Sequence, residues 1–457
     1  MHAAGKGKGS GRPAPRKPHG FQHPGVAVPV HLPVISAMRE IEQGPRRFVG
    51  FTAWNVLSWQ CLVGPAMILF ARHIEMPPAW VGVLIAALPF AQLIVLFSGV
   101  LVSRYGPKRV MLTAWLARNL LMCAVFTMPL VLTYGGNRLG WYLLLASTMA
   151  FCAARAIGAG AWFPWVHEIL PAPQRPKFFS IESSVMHFMT VAVILLQAFL
   201  LRGEPGVGNY LSVYAFGVLA GFTSLYAMGR VPGGASTQRT LALRASFRMQ
   251  RDALRDRPFA AFIAIAMLGY VSLSWFGASH VMFLRDGLGY SSQTIMLLTA
   301  LGSFAVLLTV RFWGDIAAKH GNSTAMLRCL TGHALVAAMF ALLPGAGPWT
   351  VPILMPLLLA AFSFGAGYGV AAHGAMLDRV REDARVGYTN LWIAGIAIAL
   401  GVTPIAAGAV IDWMPGIGFQ ACFLVSTATG LVTIAMGRHL STESAGASMA
   451  EPLPEES

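Results

Sequence analysis

Charged residues are scarce in this chain of 457 residues: Asp, Glu, Lys and Arg together make up 11% of it, whereas soluble proteins carry about 25%. Apolar residue types make up 56%, and the mean hydropathy is +0.62. So little charge cannot cover the surface of several soluble domains, and so apolar a chain is not intrinsically disordered. These exclusions leave a protein that crosses a membrane many times.

Signatures of metal, cofactor and nucleotide chemistry are also missing. The five cysteines stand singly in apolar stretches, which is neither a disulfide framework nor a zinc pattern. His167-Glu168 lacks the second histidine of a metalloprotease motif, and no phosphate-cradling glycine loop occurs. Because no cluster of nucleophile, base or metal ligands shares one depth either, the sequence predicts neither an enzyme nor a cofactor.

Apolar runs long enough to cross a bilayer recur along the chain. About 20 apolar residues in a helix span the hydrocarbon core, and such runs are too long for alternating barrel strands. Seven runs without charge are 49–71, 79–103, 205–229, 258–284, 287–310, 386–411 and 413–437. The run 329–377 breaks at its Pro344–Pro348 segment into two spans, and 110–133, 140–166 and 178–201 carry one charge each. The sequence therefore predicts an all-α polytopic membrane protein with 12 transmembrane helices.

Basic residues are distributed unevenly between the two sides of the predicted bundle. With the N-terminus in the cytoplasm, 26 of the 33 Lys and Arg residues fall in cytoplasmic segments and four in outer loops. Cytoplasmic loops of membrane proteins carry this excess. We therefore expect cytoplasmic N- and C-termini, a plasma (bacterial inner) membrane and attraction to anionic inner-leaflet lipids. The net charge of +15 then requires no nucleic acid.

The chain divides into two groups of six spans. We expect a disordered basic cytoplasmic tail over 1–48, an N-terminal six-helix bundle over 49–230, a cytoplasmic linker over 231–257, a C-terminal six-helix bundle over 258–437 and a tail over 438–457. In the linker, a basic amphipathic helix is predicted because four arginines recur at helical spacing beside apolar residues. These arginines are Arg244, Arg248, Arg251 and Arg255.

Two motif pairs indicate a duplicated unit. The segments 99–109 and 314–322 each contain a glycine, a base five residues later and a second glycine seven residues after the first, with an offset of 215. Glu168 and Asp378 each precede a base by seven residues and an aromatic residue by ten, with an offset of 210. Two pairs in the same order predict two homologous halves.

The segment 99–109 resembles the loop signature G-x-x-x-D-R-x-G-R-[RK] of the major facilitator superfamily of secondary transporters. The fitting residues are Gly99, Arg104, Gly106, Lys108 and Arg109. The resemblance implies two bundles related by pseudo-two-fold symmetry around a central cavity, with a cytoplasmic gate at this loop. Ser103 stands where the family has an acid, so we expect a weaker gate.

Three charges lie inside predicted spans, where ionisable groups are costly and usually functional. Arg155 is the candidate for attracting an anionic or polar solute group. Glu182 is the candidate for binding the coupling proton, and Arg118 is a further candidate for that coupling. The alternatives are a fixed ion pair that locks the helices, or side chains that extend to the membrane interface.

Aromatic and polar side chains form a second candidate set, on spans that line the cavity in this family. Packing between helices is the alternative interpretation for each of them. The predicted solute-binding residues besides Arg155 are Asn55, Trp59, Trp162, Trp275, Ser279, Tyr368, Asn390 and Trp392.

The functional hypothesis is a monomeric secondary active transporter that moves a small solute by alternating access and is coupled to protons. One alternative is a drug or metabolite efflux pump. The fifth span, 178–201, contains no glycine or proline, unlike the drug antiporters of the superfamily. Another alternative is a non-transporting sensor or assembly factor on the same scaffold.

Overall fold

The computed structural model describes residues 43–170, 174–235, 243–343, 345, 347, 350–381 and 385–449. Within these ranges the chain forms helices joined by short turns, without a β-strand. The predicted basic tail lies outside the described residues up to residue 42, while residues 43–48 already belong to the first helix.

The helices of the N-terminal half contain most of the polar and charged side chains of the candidate site. They are α1 Gln43–Val63, α2 Pro65–His73, α3 Pro78–Tyr105, α4 Pro107–Met122, α5 Met128–Ala159, α6 Trp162–Ile169, α7 Arg175–Leu200 and α8 Val207–Gly229. Proline occupies the first helical position of α2, α3 and α4, where its missing N–H costs no hydrogen bond. Gly64 and Pro65 thus divide the first span into α1 and α2.

The linker and the C-terminal half continue the pattern. Their helices are α9 Leu243–Arg255, α10 Arg257–Met282, α11 Ser292–His320, α12 Asn322–Ala341, α13 Thr350–Leu377, α14 Arg385–Trp413 and α15 Gly418–Met449. A tail is predicted from residue 438, but α15 continues as helix to Met449. The linker helix α9 packs against α14, where a Cβ on Gly387 would lie 2.4 Å from the Met249 carbonyl oxygen.

Eleven described segments are long and apolar enough to cross a membrane. One of them, Pro107–Ile169, has 63 residues. Gly136 interrupts it with φ 71° and ψ 178°, a conformation that only glycine adopts readily. The chain turns back there and crosses twice, so the described residues contain the 12 spans predicted from the sequence.

The two halves contain matching turns. Gly106, between α3 and α4, has φ 81° and ψ 150°, and Gly321, between α11 and α12, has φ 83° and ψ 149°. Side chains are strongly disfavoured in this region of backbone space. The second glycine of each sequence repeat is therefore explained by the same tight connection between consecutive spans.

The bundles meet along two helix pairs, α3 with α14 and α7 with α11. A Cβ on Gly82 would lie 2.2 Å from the Pro404 carbonyl oxygen, and one on Gly408 would lie 2.2 Å from that of Pro78. Glycine is required because the two backbones are in contact. We call the side with α9 the linker face, and the side where α2 ends and α3 begins the opposite face.

Candidate functional site

Two adjoining cavities lie between the bundles. The larger, of about 710 Å³, is lined mainly by α1, α3 to α7 and α14. The smaller, of about 490 Å³, lies nearer the opposite face. The residues common to both are Trp59, Leu88, Pro89 and Leu400. Each volume is in the range of small-molecule sites, and the shared residues make them one path.

Polar contacts between the bundles close this path at the opposite face. Arg72 Nε donates to Asp286 Oδ2 at 2.8 Å. Further bonds join Arg285 to the Leu69 carbonyl, Tyr210 to Ser292, and the Ala79 amide to Asp412. By contrast, Phe163 and Met186 line the larger cavity and are 59% and 37% exposed. We interpret the larger cavity as open toward the linker face.

Glu182 on α7 is half-buried in the wall of the larger cavity. Its Oε1 accepts a hydrogen bond of 2.7 Å from Thr52 Oγ1 on α1. In the part of the chain that the structure describes, no ion pair within 4 Å joins Glu182 to Arg118 or Arg155. The fixed ion pair considered as an alternative is therefore not formed, and the carboxyl group faces the cavity with one hydroxyl partner.

Arg155 lines the larger cavity on α5, and its Nε is buried without a hydrogen-bond partner. Arg118 on α4 is fully buried behind the wall. Its Nη2 donates to Asn55 Oδ1 at 2.9 Å, and its guanidinium carbon lies 4.4 Å from the centre of the Trp115 ring. Arg118 Nε and Nη1 have no hydrogen-bond partner.

Asn55 connects Arg118 to the cavity. Its Oδ1 accepts from Trp115 Nε1 at 3.1 Å as well as from Arg118, and its side chain lines the larger cavity. Asn55 therefore lies between the Arg118 guanidinium and the larger cavity. Arg118 brings a positive charge behind the cavity wall without lining the cavity, and its coupling role stays a prediction.

The structure brings together only part of the predicted solute-binding set. Asn55, Trp59, Arg155 and Trp162 line the larger cavity, and Trp59 also lines the smaller one. Trp275 and Asn390 are partly exposed but line neither of these two cavities.

Three predicted binding residues are instead buried inside the C-terminal bundle. Tyr368 Oη donates to the Ala266 carbonyl at 2.7 Å, and the Trp392 ring stacks on Phe262. Ser279 Oγ donates to the carbonyl of its own helix. Ser279, Tyr368 and Trp392 do not line the two cavities in this structure, and their contact with the solute stays a prediction.

Several cavity residues escape the sequence reasoning. Thr52 stands three residues before Asn55 and seven before Trp59, so helical periodicity could have found it. Cys152 and His280 line the smaller cavity. The C-terminal wall of the larger cavity is apolar and consists of Ile393, Ile396, Ala397 and Leu400.

The predicted gate loop contacts the segment that follows α8. Lys108 Nζ donates to the Val231 carbonyl at 2.6 Å, and its amide donates to the Gly234 carbonyl at 3.0 Å. Ser103 Oγ donates to Val100 within its own helix at 2.9 Å. Gly99 is part-exposed, and Arg104 and Arg109 are exposed. The gate role of this loop stays a prediction.

Comparisons with known proteins identify the family. The sequence profile of the Major Facilitator Superfamily matches residues 48–377. The chain belongs to this superfamily. A comparison with curated proteins gives no match. As a member of the superfamily, the chain is an integral membrane transporter of a small molecule and not an enzyme.

Solved structures of superfamily transporters share the fold. A mutant of the nucleoside transporter NupG has a TM-score of 0.69 and 12% identity, covering 87% of this chain and 99% of its own. A bacterial homologue of the iron transporter ferroportin in the inward-facing state has a TM-score of 0.65 and 14% identity, covering 87% and 98%. The inward-open xylose transporter XylE from E. coli has a TM-score of 0.65 and 14% identity, covering 86% of this chain and 95% of its own. Such identities show the fold alone.

Proposed function

We propose that the chain is a proton-coupled secondary transporter of an organic anion that carries an apolar part. The observation that carries this proposal is the pair of arginines at one cavity wall, Arg155 and Arg118, neither of which forms an ion pair within the described residues. A buried charge without a partner is costly. A carboxylate or phosphate of the solute would supply the missing acceptors for Arg155 and relieve that cost.

The apolar C-terminal wall of the larger cavity favours an amphiphilic solute. Leu400, Ile396 and Ile393 face the charged wall across the larger cavity, and Phe362 and Leu273 continue an apolar surface into the smaller one. A solute with its anionic group at Arg155 would place an apolar part against these residues. Burial of apolar surface contributes about 25 cal/mol per Å², so this wall adds affinity without polar recognition.

Glu182 would supply the proton coupling. With Glu182 ionised, the three charges around the larger cavity give a formal net charge of +1, and with Glu182 protonated they give +2. An anion is therefore bound more strongly after Glu182 takes up a proton, since the net positive charge near it is larger. That dependence is what a gradient needs in order to bias the transport cycle.

The linker face is cytoplasmic according to the distribution of Lys and Arg. The state described is then inward-open, with Arg72 and Asp286 closing the outer side. If the two bundles moved apart at these residues and closed against each other at the linker face, the same cavity would be exposed to the outside.

A binding experiment tests the solute class. Purified protein is screened by thermal unfolding against pairs of amphiphilic carboxylic acids and their neutral amides. We expect acids to raise the unfolding temperature of the wild type, because ligands that bind only the folded state stabilise it. The amides should not do so, nor should the acids in Arg155→Gln. Equal stabilisation by acids and amides would rule out the anion.

A further inference from the structure

A third pocket lies on the outer surface of the N-terminal bundle, between α1 and α8 at the linker face. Its volume is about 680 Å³, and it shares no lining residue with the two central cavities. The residues that line it are Arg47, Gly50, Trp54, Thr223, Tyr226, Ala227 and Arg230.

Two arginines stand side by side at the end of this groove. Arg47 Nη1 donates to the Arg230 carbonyl oxygen at 2.9 Å, which leaves its remaining N–H groups available. The Arg230 guanidinium carbon lies 4.2 Å from the centre of the Tyr226 ring. Both arginines are exposed, and neither forms an ion pair within 4 Å in the described ranges. Among the described residues, the groove therefore presents two cations that no carboxylate pairs with.

The remaining wall is aromatic and open to the surroundings of the transmembrane helices. Trp54 and Tyr226 are 40% and 61% exposed, and such side chains on membrane-spanning helices face lipid. Trp and Tyr are enriched at the depth of the lipid headgroups. A Cβ on Gly50 would meet no atom within 4 Å, so an open slot lies at Gly50, one helical turn from both Arg47 and Trp54.

We propose that this groove is a binding site for an anionic phospholipid, with the phosphate on Arg47 and Arg230 and an acyl chain beside Gly50 and Trp54. Guanidinium groups bind phosphate oxygens in pairs, and basic pockets between transmembrane helices bind anionic headgroups on the cytoplasmic side. The distribution of Lys and Arg predicts that the linker face lies in that leaflet. The site is independent of the transported solute.

Native mass spectrometry of the purified full chain with phosphatidylglycerol or phosphatidylcholine tests the proposal. We expect phosphatidylglycerol to bind the wild type and Arg47→Gln/Arg230→Gln to bind it about tenfold more weakly, since each interfacial arginine contributes severalfold in affinity. The matched control is Arg202→Gln, because Arg202 also lies over an aromatic ring, 4.5 Å from the centre of Phe199, but at the opposite face.

Gly50→Leu provides a second variant that fills the slot without changing the charge. Gly50→Leu should also weaken binding of phosphatidylglycerol. If the double variant does not fold, Gly50→Leu alone tests the proposal. Equal binding of phosphatidylcholine by the wild type would overturn the proposal. So would unchanged binding by the variants, or displacement of the lipid by millimolar inorganic phosphate, which would indicate a site for free anions.

Discussion

The N-terminal and C-terminal bundles use the same turns but bring different chemistry to the cavity between them. Gly106 and Gly321 have nearly identical backbone angles. Glu168 and Asp378, which correspond in the two sequence repeats, each accept a hydrogen bond near such a turn, from the Gly234 amide at 2.9 Å and from Asn322 Nδ2 at 2.8 Å. These shared features fix how consecutive spans connect at the linker face.

The difference lies in charge. The N-terminal wall carries Arg155 and Glu182, whereas Arg311 and Asp315, in the second half of α11, are exposed and line neither cavity. The repeated backbone provides two bundles of similar construction, and the proposed recognition of the solute lies in one of them. The other bundle supplies an apolar wall that can separate from the solute without breaking hydrogen bonds.

The largest expected effect is on the affinity for the anion, when an arginine of one bundle is replaced and compared with an arginine of the other. Arg155→Gln should lower the affinity for the transported anion by about 100-fold, because a hydrogen bond to a charged group is worth about 1.5–3 kcal/mol. Arg311→Gln should leave the affinity unchanged. The measurement is solute binding to purified protein. Similar losses in both variants would show that recognition is shared between the bundles.

An effect of intermediate size is expected on the stability of the protein when the glycine of either turn is replaced. Gly106→Ala and Gly321→Ala should each destabilise the protein by about 1–3 kcal/mol, because both glycines have a conformation that side chains disfavour. Gly106→Ala should cost more, since its Cβ would lie 3.1 Å from the Gly234 carbonyl oxygen while that of Gly321 meets nothing within 4 Å. Thermal unfolding measures both losses, and a larger loss of stability in Gly321→Ala would contradict the role of the close contact at Gly106.

The smallest effect concerns the bond that joins the bundles at the opposite face. The side chains of Arg72 and Asp286 are 20% and 24% exposed, and a pair so accessible to water contributes about 0.2–1 kcal/mol. Arg72→Gln should therefore shift the population toward the state open at the opposite face by about two- to fivefold. Labelling of Ser274→Cys in a Cys152→Ala background by an impermeant thiol reagent reports this shift.

Arg138→Gln is the control for that experiment, because Arg138 is exposed on the same face. A rate of labelling that rises equally in both variants would mean that general surface charge controls the opening. A double variant of Arg72 and Asp286 should label no faster than the more affected single variant.

The span architecture could be predicted from the sequence because long apolar runs leave a helix as the only fold that satisfies the backbone in lipid. Helix boundaries differ from the predicted spans: α1 already includes Gln43, six residues before the predicted span, and α15 extends past residue 438. Amphipathic linker segments and helix ends carry no long apolar run, so hydropathy does not fix where these helices begin or end.

The N-terminal wall of the candidate site could be predicted from the sequence, but the C-terminal wall could not. Arg155 and Glu182 stand out because charge inside a span is rare. Tyr368 and Trp392 were assigned to the cavity from their spans, but a helical position does not tell whether a side chain faces a cavity or the next helix. The bond between Thr52 and Glu182 depends on how α1 and α7 are rotated against each other, which is a property of tertiary packing.

The most direct test of the account is accumulation of an identified anion in proteoliposomes under a pH gradient, with Glu182→Gln compared to Asp315→Asn. The wild type and Asp315→Asn should accumulate the anion when the gradient is applied. Glu182→Gln should exchange labelled for unlabelled anion but gain nothing from the gradient, because its amide cannot take up a proton. Gradient-driven accumulation by Glu182→Gln at the wild-type level would contradict the assignment of the coupling proton to Glu182.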